Sequence, residues 1–170
     1  KLFHCMQTSM EEILFDLTGK VALVTGVGSQ SGIGFASAKL LAKAGAKVFI
    51  TSTTDRIFER EKDLKLLFGK DNIYALAADL TREDQVFNLS EAIIKKFNKI
   101  DILVNNAGMV QIGNDQPTKK FIEHSLESWN YGIDINLKST FLVTRNILPQ
   151  LKKQKTGRII NISSVTGPIV

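Results

Sequence analysis

The stretch Thr25-Gly-Val-Gly-Ser-Gln-Ser-Gly-Ile-Gly34 is the part of this sequence whose residue types best suit an encounter with phosphate. It joins a short apolar run to a segment with apolar residues at helical spacing. Glycines in that setting let the chain turn tightly, let backbone approach a pyrophosphate and let helix and strand pack closely. The helix start then offers N–H groups and partial positive charge to an anion. No Gly-Lys-Ser/Thr follows, which argues against the lysine-bearing loop of nucleoside triphosphatases. Other chemistry-bearing groups stand just after apolar runs: Ser52-Thr53-Thr54-Asp55-Arg56, Asp79-Leu80, Asn105-Asn106-Ala107-Gly108 and Ser163-Ser164. Asn136 lies in an otherwise apolar helical stretch between Ile133 and Leu137, which predicts an inward amide in need of partners.

The elements that must carry these residues alternate. Residues 20–25 (KVALVT), 47–52 (KVFITS), 72–77 (NIYALA), 100–105 (IDILVN) and 158–163 (RIINIS) read as strands. Between them, Ile33, Ala36, Leu40, Leu41 and Ala44 predict a first helix stopped by Gly45. Ile57, Leu64, Leu67 and Phe68 predict a second, and Val86, Leu89, Ile93 and Phe97 a third. Residues 109–125 read as an irregular loop. A long helix follows with Leu126, Trp129, Ile133, Leu137 and Phe141 on its inner side, kinked or ended by Pro149. Strand–helix alternation means βαβ units, right-handed crossovers and a parallel sheet covered on both faces. The expected fold is therefore α/β: a Rossmann-type, doubly wound, three-layer sheet of order 3-2-1-4-5 in a single domain, residues 1–170. Ligands of such sheets bind beyond the carboxyl ends of the strands, where strand order reverses.

Composition narrows the classes. With 170 residues, 44% hydrophobic and 23% charged, the chain has the balance of a globular domain and not of a disordered one. One cysteine, Cys5, excludes an intrachain disulfide, and the distant His4 and His124 make no metal site. No run is long and apolar enough for a membrane span, and the N-terminus lacks a signal-peptide pattern. The net charge of +5 comes without aromatics interleaved among the lysines, so nucleic acid is not an expected partner. A cytoplasmic setting is expected.

Thr25-Gly26 with Gly32-Ile33-Gly34 resembles the cofactor turn of the short-chain dehydrogenase/reductase family. Asn105-Asn106-Ala107-Gly108, Asp79-Leu80, Asn136 within Asp134-Ile-Asn-Leu137, and Ser163-Ser164-Val165 resemble four more of its signatures, in the family's order and over residues 17–168. One departure lies in the turn. Five residues, Val27 to Ser31, separate Gly26 from Gly32, where the family usually has three. A loop two residues longer, anchored at Gly26, is the expected arrangement.

The resemblance implies a nicotinamide dinucleotide over Gly26, Ser31, Gly32, Ile33 and Gly34, its adenine near Asp79 and Leu80, with Asn106, Ala107 and Gly108 alongside. The end of strand two indicates which cofactor. NAD recognition calls for a carboxylate there, and this sequence has Ser52 and Thr53 instead, followed by Arg56. Hydroxyls and a cation suit a 2′-phosphate, so NADP is expected, with NAD the alternative. Asp55 is read as the cap of the second helix.

The resemblance also implies that Ser164 hydrogen-bonds a substrate carbonyl and that Asn136 holds a water in a proton relay, with Ser163 pointing back into the sheet. The family's Tyr-x-x-x-Lys has no counterpart among the six residues after Ser164, and neither Tyr74 nor Tyr131 has a lysine four residues on. The sequence therefore reads as the N-terminal two-thirds of such an enzyme, inert alone, with an unfinished apolar edge at Ile159, Ile160 and Ile162. Its pattern most resembles the 3-oxoacyl-carrier-protein reductases. That implies a carbonyl substrate borne on an acidic acyl carrier protein near Lys152, Lys153 and Lys155, and a dimer or tetramer when full length. Sugar, steroid or other small-ketone substrates, and a non-catalytic nucleotide binder, stay open.

Overall fold

All five residues of β1 (Val21–Thr25) are buried, as a strand covered on both faces requires. Its pleat sends Val21 and Leu23 to one side of the sheet and Ala22 and Val24 to the other. The computed structural model describes residues 15–108 and 120–164. Around β1 it places β2 (Lys47–Ser52), β3 (Ile73–Ala77), β4 (Ile102–Asn105) and β5 (Arg158–Asn161), in the order β3-β2-β1-β4-β5. Every pairing is parallel. Helices α1 (Ile33–Lys43) and α2 (Arg56–Phe68) cover one face, where Phe35, Ala38, Ile57 and Leu64 meet Ala22, Val24, Val48 and Ile50. On the other face lie α3 (Glu83–Phe97) and α5 (Ser139–Gln154). There Val86, Leu89, Ile93, Leu142 and Ile147 pack on Val21, Leu23, Phe49 and Leu103. This is the expected three-layer α/β sheet in the expected order.

Strand order reverses between β1 and β4, so the crossovers leave on opposite faces and a crevice opens at the carboxyl ends. The opposite end of the sheet is closed by polar side chains. Asp101 is buried and its Oδ2 accepts the N–H of Val21 at 2.8 Å and Lys99 Nζ at 3.1 Å. Its backbone N–H donates to Val21 O, and its carbonyl accepts the N–H of Arg158, so one residue joins β1, β4 and β5. The Gln154 amide donates to Ile100 O at 2.7 Å and accepts Ile100 N–H at 3.1 Å. At Ile100 a side chain thus takes the backbone bonds a strand partner would have made.

The long helix differs most from expectation. It runs as α4 (Leu126–Ile133), a π-turn (Asp134–Lys138) and α5, and it continues past Pro149 to Gln154. Leu126, Trp129, Ile133, Leu137 and Phe141, expected inside, are 41–74% exposed. The buried face is instead Ser139, Leu142, Val143, Ile147 and Leu151. Asn136 Nδ2, Ser139 Oγ and Thr140 Oγ1 each donate to the carbonyl four residues back. Such side-chain bonds compete with the helical ladder, and a π-turn at this point rotates the faces that follow it.

Smaller differences have local causes. Asp55 immediately precedes α2, but with helical backbone angles and no capping bond from its side chain. Residues 121–123 of the expected loop form a 3-10 turn (Phe121–Glu123), whereas 109–119 lie outside the described residues. So do His4, Cys5 and residues 165–170. Strand β5 ends at Asn161, and Ile159, Ile160 and Ile162 are 37–45% exposed along the sheet edge it forms among the described residues. Among those residues no helix is long and apolar enough to cross a membrane, and no three His, Cys, Asp or Glu side chains gather as a metal site.

Candidate functional site

The chain leaves β1 through Gly26, whose φ of +72° is a conformation L side chains rarely adopt. A Cβ there would stand 2.8 Å from Ala107 Cα. A Cβ on Gly34, in the first turn of α1, would stand 2.5 Å from Asn106 Nδ2 and 2.7 Å from Gly26 O. These two positions admit only glycine, so the turn is anchored at Gly26 and α1 starts hard against it. Asn106 holds the arrangement: its Nδ2 donates to Thr25 O at 3.0 Å and to Gly26 O at 3.2 Å. Thr25, which opens the turn's signature, completes it. Its Oγ1 accepts the N–H groups of Asn106 and Ala107, both at 2.9 Å.

The first N–H groups of a helix have no acceptor within it. Gly32, at the cap of α1, brings no side chain to take that role. Ser31 is exposed beside it, with its Oγ 3.3 Å from Ser29 Oγ, and Ile33 is 62% exposed. A bare helix start beside glycine backbone fits a phosphate group.

A crevice opens beyond β1 to β4, lined among others by Gly26, Ser52, Thr53, Asp79, Leu80 and Gly108. Thus the structure brings residues from four separate segments to one wall, with Ala107 beside them. Asp79 is partly committed to its own turn, since its Oδ1 accepts the N–H of Thr81 at 3.0 Å and the Thr81 hydroxyl at 2.8 Å. Asn106 supports the glycine turn and is not part of the lining. Arg56 is exposed at the start of α2, its Nε donating to Thr54 Oγ1 at 3.3 Å. No side chain at the end of β2 is a carboxylate until Asp55.

Asn136 is exposed, not buried as expected, because the π-turn carries it off the packed face. It nevertheless reaches the crevice region: its Oδ1 lies 2.6 Å from where a side chain on Gly108 would begin. Ser164 lies three residues beyond Asn161, which is in register with Asn105, so it sits past the same end of the sheet. Ser163 is exposed, as are the residues of β5 before it. Sequence reading missed Tyr131, Ile135 and Ser139, which line the crevice from α4, the π-turn and α5. Their spacing of four was the available signal.

A family model described as short chain dehydrogenase matches residues 20–169. The chain belongs to that family. Among curated relatives, the chain is 41% identical over 152 residues to the 3-oxoacyl-[acyl-carrier-protein] reductase FabG of Aquifex aeolicus, covering 89% of this chain and 58% of that one. It is 38% identical over 155 residues to the oxidoreductase UcpA of Salmonella typhimurium, covering 91% and 55%. Among solved structures, a metagenomic short-chain oxidoreductase in complex with NADP superposes with a TM-score of 0.76 at 31% identity, over 89% of this chain and 65% of that one. A putative short-chain alcohol dehydrogenase from Sinorhizobium meliloti gives 0.79 at 29% identity, over 92% and 58%. This short-chain dehydrogenase chain thus spans less than two thirds of the relatives it matches.

Proposed function

We propose that this chain is the nucleotide-binding part of an NADP-dependent reductase that converts a carbonyl to an alcohol, best matched to a 3-oxoacyl thioester. The observation that carries the reading is the crevice itself. Gly26 and the chain beyond β2, β3 and β4 meet in it, where a doubly wound sheet binds dinucleotides, and the start of α1, without a side-chain cap, packs against Gly26 beside it.

Gly26, Ser31, Gly32, Ile33 and Gly34 would hold the pyrophosphate, with Asp79 and Leu80 beside the adenine and Ala107 and Gly108 flanking the far half. Ser52, Thr53 and Arg56 would take the 2′-phosphate, and the neutral end of β2 supports NADP over NAD. Once bound, the reduced nicotinamide supplies a hydride. Ser164 holds the substrate oxygen where negative charge develops, and a fixed donor at that point is worth a large factor in rate. Asn136, with its oxygen turned toward Gly108, positions a water for proton return. No Tyr-x-x-x-Lys lies within these 170 residues.

A 3-oxoacyl group on an acyl carrier protein is the favoured substrate. The relative named as such a reductase supports this, and so do exposed Lys152, Lys153 and Lys155 at the end of α5, which suit an acidic partner. The exposed apolar stripe of Leu126, Trp129, Ile133, Leu137 and Phe141 supports a homo-oligomer. A cytoplasmic setting accompanies this reading. The test is NADPH consumption by the full-length protein with a 3-oxoacyl thioester, a sugar ketone and a steroid ketone. Preference for the thioester is expected. Preference for either ketone would replace the substrate, and no consumption with any of them would favour the non-catalytic binder.

A further inference from the structure

The glycine turn has two residues more than the family's usual spacing. Val27 is fully buried and its N–H donates to Thr51 O at 3.0 Å. The chain beyond Gly26 therefore still runs beside the end of β2 before it reaches α1. That path lays Gly28 against Ser52. A Cβ on Gly28 would stand 3.3 Å from Ser52 Cβ and 3.4 Å from its Oγ, closer than side chains ordinarily pack.

Ser52 is itself the start of a chain of bonds. Its Oγ donates to Thr54 O at 3.2 Å, and Thr54 Oγ1 accepts Arg56 Nε at 3.3 Å. Ser52 and Thr53 line the crevice, while Gly28 does not. Neither backbone in the contact yields easily. The backbone of Ser52 is held in register with Ala77, and beyond Gly28 the loop is closed by Gly32 N–H to Ser29 O at 3.2 Å.

We infer that Gly28 is a positioning residue for recognition of the adenosine ribose: by having no side chain where it backs onto Ser52, it sets the turn that presents Thr53 and Arg56. This rests on the cofactor reading above. A methyl group at 28 displaces the Ser52 side chain, the only part of that contact able to move. The bond to Thr54 is then lost, and with it the placement of Arg56. The pyrophosphate-facing backbone at residues 32–34 is untouched, so the effect falls on the 2′-substituent and not on binding in general.

The test is the dissociation constants of NADPH and NADH for the full-length protein, read by nicotinamide fluorescence, with wild type, Gly28→Ala, Ser52→Gly and the double variant. In Gly28→Ala, NADPH is expected to weaken about tenfold, the worth of one lost hydrogen bond, while NADH moves less than about twofold. In the Ser52→Gly background the same substitution is expected to change nothing, because the coupling runs through the Ser52 side chain. Equal loss of both cofactors, an unchanged ratio, or a tenfold effect that persists without Ser52 would each overturn the inference while leaving NADP preference standing. Tighter binding of NADH by wild type would overturn the cofactor reading and this inference with it. If Gly28→Ala does not fold, Thr54→Val removes the Thr54 Oγ1 acceptor of Arg56 Nε at a residue not placed on the cofactor. It is expected to shift the ratio in the same direction, and no shift would overturn the role of Gly28.

Discussion

Thr25 Oγ1 accepts two consecutive backbone N–H groups, those of Asn106 and Ala107, at 2.9 Å each, and donates to Val104 O at 3.3 Å. One hydroxyl thus ties the exit of β4 to the exit of β1 at the point where the sheet opens. Replacing Thr25 by Val keeps the shape and leaves two partly buried N–H groups without an acceptor. Each orphaned group costs about 1–3 kcal/mol, so Thr25→Val is expected to destabilise the full-length protein by about 2–6 kcal/mol in urea titration. Thr25→Ser keeps the hydroxyl and should lose much less. A larger loss in Thr25→Ser than in Thr25→Val would mean that packing of the methyl group, and not the hydroxyl, matters here.

At the opposite end of the sheet, Gln154 pairs with both backbone groups of fully buried Ile100. Gln154→Leu leaves both unmatched and is expected to cost about 2–6 kcal/mol by the same reckoning. Gln154→Glu keeps the acceptor and loses the donor, so its thermal midpoint should fall between leucine and wild type.

Arg56 carries the only charge proposed to meet the 2′-phosphate. A charge-assisted hydrogen bond is worth about 1.5–3 kcal/mol, so Arg56→Ala is expected to weaken NADPH by about tenfold or more. NADH should bind as before. A similar loss for both cofactors would show that Arg56 supports the loop and does not read the ribose.

Ser164→Ala in the full-length enzyme is expected to lower turnover by roughly 100-fold or more, with NADPH affinity little changed. Unchanged turnover on a ketone substrate would remove Ser164 from the chemistry.

Much of this architecture can be read from sequence because buried parallel strands are short, continuous apolar runs with punctuation. KVFITS at 47–52 is one, and its boundaries agree with β2. The glycines are legible because only they fit, as the approach of Gly34 to Asn106 demonstrates. What escapes is long-range polar pairing. Thr25 with Asn106, Asp101 with Val21 and Gln154 with Ile100 are 54 to 81 positions apart and leave no local pattern. The inner side of the long helix was misjudged for another reason. Periodicity reveals an apolar face but not what covers it, and the π-turn at 134–138 breaks the phase between Ile133 and Phe141. The burial of Ser139 beside Leu142 shows that the packed face passes through residues the pattern ranked as polar.

A crystal structure of the full-length protein with NADP tests the central claim most directly. The expected result has pyrophosphate oxygens about 2.9 Å from backbone nitrogens at the start of α1, an ordinary hydrogen-bond length, and the 2′-phosphate beside Ser52, Thr53 and Arg56. A dinucleotide bound away from the Gly26–Gly34 turn, or bound there with its 2′-phosphate turned away from the end of β2, would contradict the account.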